Sequence, residues 1–281
     1  NRFNFWYVHS LYRRLMLGLG NSVCSSSYIS GKYNNFSGSF DGTADFVLTP
    51  EEDAIAKITD VISISVWVKP NAWNMTNGSN NDAFIGCYNV GGWMLYLSNT
   101  GGNTTKIKFI IHTSDSGSGS AGTISASVNK ATTEALSGWQ NIVATYDGTT
   151  AKIFVSGSTS GVTNATSASG ASIAYHASNS RPVMLGADAS GDTTGQDFYH
   201  GLLDEVAIWN AVLDSDAITA IYNSGVPFDL TSDEGNYDNS GDLVGYWRFE
   251  EGTGTSVADS STNSNNGGLG NAWSWSTDVP E

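Results

Sequence analysis

Short segments in which apolar and polar residues alternate recur along the chain from residue 36 onward. In the clearest of them, DVISISVWVKP (residues 60–70), one face consists of Ile62, Ile64, Val66 and Val68. A period of two residues is the pattern of a β-strand that has one face in a core. Similar segments follow at short intervals, separated by turns rich in glycine, asparagine, serine and threonine, which favours an all-β fold.

Two further segments indicate how these strands are arranged. The stretch GWQNIVATYDGTTAKIFVSGS (138–158) predicts two strands joined by the turn DGTT, and therefore an antiparallel hairpin. In LDSDAITAIYNSG (213–225), apolar residues at helical spacing follow Asp214, which is suited to cap a helix. We therefore predict an all-β, two-sheet antiparallel sandwich with one short helix.

The beginning of the chain differs in charge from the rest. Residues 1–40 contain four basic residues and no acid, so they carry +4, whereas the remainder carries −19. We predict an N-terminal arm over residues 1–35 and one main domain over 36–281. A basic, aromatic arm is suited to dock on a neighbouring acidic subunit, and a disordered terminus is the alternative. The residues expected to mediate this assembly are Phe3, Phe5, Trp6, Tyr7, Arg13 and Arg14.

The net charge of −15 argues against nucleic acid as a partner. Phosphate binding needs clustered lysine and arginine, and the chain holds 12 basic residues against 27 acidic ones. The sequence also predicts no membrane span, because no apolar run reaches the length of about 18 residues that a spanning helix needs. Two cysteines, Cys24 and Cys87, are too few for a disulfide framework, and whether they pair is left open.

Six motifs follow one another in an order that resembles a known family. They are SFDGTADFV, ISISVWVKP, GWQNIVATYDGTTAKIFVSG, VMLGA, GLLDEVAIWNAVLDSDAITAIYNSG and LVGYWRFEEGTGTSVADSS. Over about residues 37–260 they resemble the laminin-G-like jelly roll of the concanavalin A-like lectin/glucanase group, which implies a jelly-roll sandwich. The stretches LMLGLGNSV and WSTDVP are further similar to virion proteins of marine bacteriophages, which implies a virion surface or extracellular location.

The last of these motifs departs from the family order. A stretch like YWRFEEGTGT precedes the FDGT strand in many such modules, but here it begins near residue 246. Either residues 243–281 return to the same sandwich, or a second module begins at residue 243. We favour the first interpretation, because the termini of sandwich domains often lie close together.

Two adjacent acids, Asp204 and Glu205, interrupt the apolar pattern of GLLDEVAIW (201–209). They would lie on the solvent side of a strand, or Asp204 would hold a structural calcium ion. The resemblance implies the second interpretation, in which Asp204 meets Asp41 and the carbonyl of Gly42. Calcium prefers such mixed carboxylate and carbonyl oxygens. Weaker candidates for calcium ligands lie in one oxygen-rich loop, at Asp188, Asp192 and Asp197.

Catalysis is the least expected function, because glycoside hydrolysis usually needs two carboxyl groups about 5–10 Å apart. Directly neighbouring acids in EED (51–53) and FEEG (249–252) would point to opposite faces of a strand. We predict a non-catalytic virion or surface structural protein that contacts glycans, with a secreted carbohydrate-binding adhesin as the alternative. Trp139 and Trp247 are expected to fill the sandwich. The predicted glycan contacts are Trp73, Tyr88, Trp93 and Trp273.

Overall fold

The computed structural model describes residues 34–50, 55, 58–71, 81–88, 91–99, 104–113, 122–131, 138–159, 162–163, 165–166, 172–175, 182–190, 193–270 and 273–281. All of these residues belong to one unit, Tyr33–Glu281. The assembly residues predicted between Phe3 and Arg14 lie outside the described residues, as does Cys24, so the predicted role of the arm stays a prediction.

The described strands alternate along the chain with turns, and one α-helix follows the longest strand. The strands are β1 (Ser37–Asp41), β2 (Val47–Leu48), β3 (Ile62–Pro70), β4 (Asn81–Gly86), β5 (Trp93–Asn99), β6 (Thr104–His112), β7 (Thr123–Ala131), β8 (Gln140–Tyr146), β9 (Thr150–Val155), β10 (Val162–Thr163), β11 (Ala165–Thr166), β12 (Met184–Leu185), β13 (Asp188–Ala189), β14 (Gly195–Gln196), β15 (His200–Trp209), β16 (Leu243–Trp247), β17 (Ser256–Val257), β18 (Gly267–Leu269) and β19 (Ser274–Ser276). The helix is α1 (Ser215–Tyr222). Short 3-10 turns occupy Asn223–Gly225 and Ser240–Asp242.

Among the described residues, these strands form two large sheets and one small ribbon. The first sheet has the order β11-β9-β8-β3-β15-β1-β19, and β16 also pairs with β15. The second sheet has the order β10-β7-β6-β5-β4-β12-β2-β18-β17, while β13 pairs with β14. Every pairing between these strands is antiparallel. The predicted two-sheet antiparallel jelly-roll sandwich is confirmed.

The main apolar core contains side chains from both large sheets. As the alternation predicts, β3 contributes Ile62, Ile64, Val66 and Val68 to it. The opposite face of this strand is buried as well, because α1 packs against it: the ring of Trp67 stacks on Tyr222 with centroids 6.1 Å apart. The carboxylate of Asp214 caps α1 by accepting hydrogen bonds from two backbone N–H groups, as predicted.

The last 39 residues add strands to both sheets. In the first sheet, β16 pairs with β15 and β19 pairs with β1, so that Gly38 lies opposite Trp275. In the second sheet, β18 pairs with β2, which places Gly268 opposite Leu48. In the described part of the chain, no helix is both long and apolar enough to span a membrane.

Candidate functional site

A groove opens on the outer face of the first sheet, where β1, β3 and β15 lie side by side. Its volume is about 400 Å³, within the range of small-molecule sites. The polar residues that line it are Ser39, Lys69, Asn71, His200 and Asp278. The apolar residues that line it are Phe40, Pro70 and Leu202.

The strand register brings these residues together from distant parts of the chain. Leu202 of β15 lies opposite Lys69 of β3 on one side and opposite Ser39 of β1 on the other. Because side chains alternate across a strand, the buried neighbours Val68 and Leu203 point into the core, and these three residues point outward. The groove is therefore built where β1, β3 and β15 lie side by side in register.

The polar side chains of the groove are held by one another. Lys69 Nζ lies 2.5 Å from Asp278 Oδ2, and the indole N–H of Trp139 donates to Asp278 Oδ1 at 3.0 Å. Partial burial alone would raise the pKa of Asp278, but the hydrogen bonds from Lys69 and Trp139 and the charge of Lys69 lower it below its usual value. Asn71 Nδ2 lies 3.2 Å from Nε2 of His200. The groove thus presents a carboxylate, an ammonium, an amide and an imidazole in fixed positions.

The structure confirms the expected role of one tryptophan and changes that of another. Trp247 is fully buried and fills the sandwich as predicted. The prediction for Trp139 is wrong: this residue is only half-buried, and its indole N–H faces the carboxylate of Asp278 at the groove. It precedes β8 at a position with the parity of Asn141 and Val143, whose side chains point away from the main core.

Two of the predicted glycan contacts lie in the core. Trp93 is 0% exposed, and Trp273 is 6% exposed with its ring stacked on that of Phe40. These two predictions are wrong, because neither indole offers a face to a ligand. Tyr88 is half-buried on the second sheet, and its ring stacks on His112 with centroids 4.2 Å apart. Trp73 lies outside the described residues.

The predicted calcium site does not form between Asp41 and Asp204. The strands that carry them are neighbours, but Asp41 lies opposite His200, four residues away from Asp204 along β15. Four residues of a strand span about 13 Å, whereas calcium–oxygen bonds measure about 2.3–2.6 Å. The carboxylate of Asp41 instead accepts hydrogen bonds from Thr43 and Ala44 in the turn that contains Gly42. One ion cannot join the two acids, so this prediction is wrong.

Asp204 and Glu205 form a buried carboxyl pair, so the solvent-side interpretation is wrong as well. Both are at most 1% exposed. Glu205 lies at an irregularity in the pairing of β15 with β3 and has a φ of 46°, so its side chain does not follow the alternation of the strand. Asp204 accepts hydrogen bonds of 2.8 Å from Asn34 Nδ2 and from the N–H of Glu205. Glu205 accepts from the hydroxyl of Tyr246 and, at 3.4 Å, from Arg248 Nε.

Burial dominates the electrostatics of this pair. It raises the pKa of Asp204 well above its usual value, and the neighbouring charge of Glu205 raises it further. Burial also raises the pKa of Glu205 to about 7, although Arg248 and Tyr246 act in the opposite direction. Hydrogen bonds and retained protons therefore explain how acids are tolerated inside the strand.

Two of the three weaker calcium candidates, Asp188 and Asp197, lie beside the second sheet. Asp188 is fully buried and accepts hydrogen bonds from the N–H of Tyr88 at 2.7 Å and from Gln196 at 3.1 Å. Burial raises its pKa to about 7. Asn81 donates to Asp197 at 3.5 Å, and Asp192 lies outside the described residues. Where the structure describes the chain, no three His, Cys, Asp or Glu side chains are placed to hold a metal ion. Calcium binding stays a prediction.

Two antiparallel sheets that pack around one main core define a jelly-roll sandwich. The sequence profile of Laminin_G_3, described as the concanavalin A-like lectin/glucanases superfamily, matches residues 41–219. The chain belongs to this family, and the predicted resemblance to laminin-G-like modules is confirmed. The resemblance to phage virion proteins stays a prediction.

Solved structures share the fold at low sequence identity. A proposed carbohydrate-binding protein from Bacteroides ovatus has a TM-score of 0.59 and 15% identity, over 88% of this chain and 61% of that one. A pentraxin from Limulus polyphemus has a TM-score of 0.49 and 11% identity, over 84% of this chain and 94% of the pentraxin chain. A sialidase CBM40 domain from Ruminococcus gnavus has a TM-score of 0.46 and 14% identity, over 66% of this chain and 97% of the CBM40 chain. This chain thus spans about three fifths of the Bacteroides protein. No curated protein matches it.

Proposed function

We propose that the chain is a non-catalytic glycan-binding module and that the groove on the first sheet is its binding site. The observation that carries the proposal is the convergence of Lys69, Asn71, His200 and Asp278 in one groove. The Bacteroides ovatus structure, described as that of a proposed carbohydrate-binding protein, supports this class of function.

The groove has the two kinds of surface that a sugar ring needs. The apolar side chain of Leu202 lines it and can pack against the C–H face of a ring. The amide of Asn71 and the carboxylate of Asp278 can bind the hydroxyl groups at the ring edge. The lining residues lie on or next to β1, β3 and β15 and in the C-terminal segment, so little backbone conformational entropy is lost when a ligand binds.

The single carboxylate among the described lining residues favours binding over hydrolysis. This carboxylate is Asp278, and Lys69 already holds it as an ion pair. Hydrolysis of a glycosidic bond usually requires a second carboxyl group on the other side of that bond. Asp41, which lies beside the groove, is bound by Thr43 and Ala44 in its own turn. Asp204 and Glu205 are buried and bound by Asn34, Tyr246 and Arg248. The groove therefore supplies recognition groups without an acid and base pair.

Replacing Asn71 tests the proposed site. Asn71 is exposed, so Asn71→Ala should fold normally, and losing one or two hydrogen bonds to a sugar costs about 1 kcal/mol, or about fivefold in Kd. Affinity electrophoresis in gels that contain laminarin, mannan, galactomannan, starch, alginate or polygalacturonate would identify a bound glycan, and titration calorimetry would give its Kd.

Asn210→Ala is the matched control, because Asn210 is also exposed and lies just beyond the other end of β15. It should bind like the wild type. Equal affinity of the Asn71→Ala variant and the wild type would place the site elsewhere. Absence of retardation by every glycan would contradict glycan binding itself.

A further inference from the structure

The charged groups of the groove indicate which glycans it accepts. The inference rests on the proposed function: we infer that the groove selects neutral glycans over glycans that carry carboxylate or sulfate groups. The inference uses the charges of Lys69, Asp278 and Asp41 and the net charge of the chain.

The only ammonium group that lines the described groove is already neutralised. Lys69 Nζ lies 2.5 Å from Asp278 Oδ2, which is the distance of a close ion pair. Both side chains are partly exposed, at 31% for Lys69 and 46% for Asp278, so a ligand can reach them. An anionic group that approached the ammonium would also approach the carboxylate of Asp278, and the repulsion would offset the attraction.

A second carboxylate lies beside the groove. Asp41 is exposed, and in the register of β1 with β15 it lies directly opposite His200, which lines the groove. Hydrogen bonds in its turn outweigh its slight burial and hold the pKa of Asp41 below the usual value, so it is ionised at neutral pH. Together, the ammonium of Lys69 and the carboxylates of Asp278 and Asp41 carry a net charge of −1.

The charge of the whole chain adds a repulsion of longer range. Its net charge of −15 lowers the local concentration of polyanions at moderate salt, because surface charges act over about 10 Å at 0.1 M salt. A neutral glycan meets no such barrier. Its hydroxyl groups can donate to Asp278 and accept from Lys69 or Asn71 without breaking the ion pair, which suits the paired groups of the groove.

The test compares one glycan in two charge states. The neutral glycan that binds, be it laminarin, mannan, galactomannan or starch, is first oxidised at its primary hydroxyl groups. This reaction converts CH₂OH groups into carboxylates on the same backbone. Titration calorimetry at 0.15 M NaCl then measures both forms. We expect the oxidised form to bind at least tenfold more weakly than the parent glycan.

Asp278→Asn tests whether the groove itself causes the selectivity. This substitution frees the charge of Lys69, while the asparagine oxygen can still accept a hydrogen bond from the indole N–H of Trp139. The ratio between the Kd of the oxidised glycan and that of the parent glycan should therefore shrink at least threefold. Asp238→Asn is the matched control, because it changes the net charge equally at an exposed residue that does not line the groove. Its ratio should equal that of the wild type.

The outcomes separate the inference from the proposed function. Preference for alginate, polygalacturonate or the oxidised glycan would overturn the neutral selectivity and leave glycan binding intact. An equal loss of selectivity in the Asp278→Asn and Asp238→Asn variants would also overturn it, because overall charge would then be the cause. If no neutral or acidic glycan binds, the proposed function fails, and the inference fails with it.

Discussion

Replacing Glu205 by glutamine tests the electrostatics of the buried carboxyl pair. Glu205 is 1% exposed, and burial raises its pKa from 4.5 to about 7. The folded protein therefore retains a proton that the unfolded chain has already released between pH 4.5 and pH 7. Since the folded state binds more protons in this window, its stability falls as the pH rises.

The shift in the pKa of Glu205 gives the size of this effect on stability. A change of about 2.5 pKa units corresponds to about 3 kcal/mol at 1.36 kcal/mol per unit. The Glu205→Gln variant cannot release this proton, so its free energy of unfolding relative to the wild type should improve by about 3 kcal/mol between pH 4 and pH 8. Removing the charge of Glu205 also relieves Asp204, whose pKa it raises, and this acts in the same direction.

Urea unfolding at a series of pH values measures this difference directly. Any constant cost of the substitution in packing or hydrogen bonding cancels, because only the change with pH is compared. Glu234→Gln removes an exposed glutamate and serves as the matched control, whose curve should run parallel to that of the wild type. Parallel curves for the Glu205→Gln variant and the wild type would refute the reasoning.

Two further predictions concern stability and can be checked by thermal and urea unfolding. Gly186→Ala should destabilise the fold by about 2 kcal/mol or more, because φ is +79° and the new Cβ would lie 2.5 Å from the ring of Phe40. Gly235→Ala is the control: its φ is also positive, but a Cβ there would meet open space, so it should cost less. Ser63→Ala should cost about 2 kcal/mol, because Ser63 Oγ donates to the carbonyl of Ala211 and accepts from the buried N–H of Leu213. A cost near zero would contradict a stabilising role for these two hydrogen bonds.

Local patterns in the sequence were sufficient to predict the framework of the sandwich. The alternation of residues 62–68 correctly assigned the core face of β3, and Asp214 correctly marked the start of α1. Trp93 could also have been assigned to the core, because it shares its parity with Leu95 and Leu97 in an apolar run. The polar residues around it were given more weight than this period of two.

The functional surface could not be predicted, because its members are far apart in the sequence. Lys69 and Asp278 are separated by 209 residues, and only the three-dimensional pairing of strands brings them together. The failed calcium site shows the same limit: β1 and β15 are neighbours, but their register determines which residues meet. The position of Glu205 depends on an irregular backbone that no residue pattern signals.

A crystal structure with a bound neutral oligosaccharide tests the central claim most directly. The account predicts sugar density in the groove on the first sheet, with hydroxyl groups within hydrogen-bonding distance of Asn71 and Asp278 and a ring face against Leu202. Sugar density on the second sheet, beside the stacked rings of Tyr88 and His112, with an empty groove on the first sheet, would contradict it.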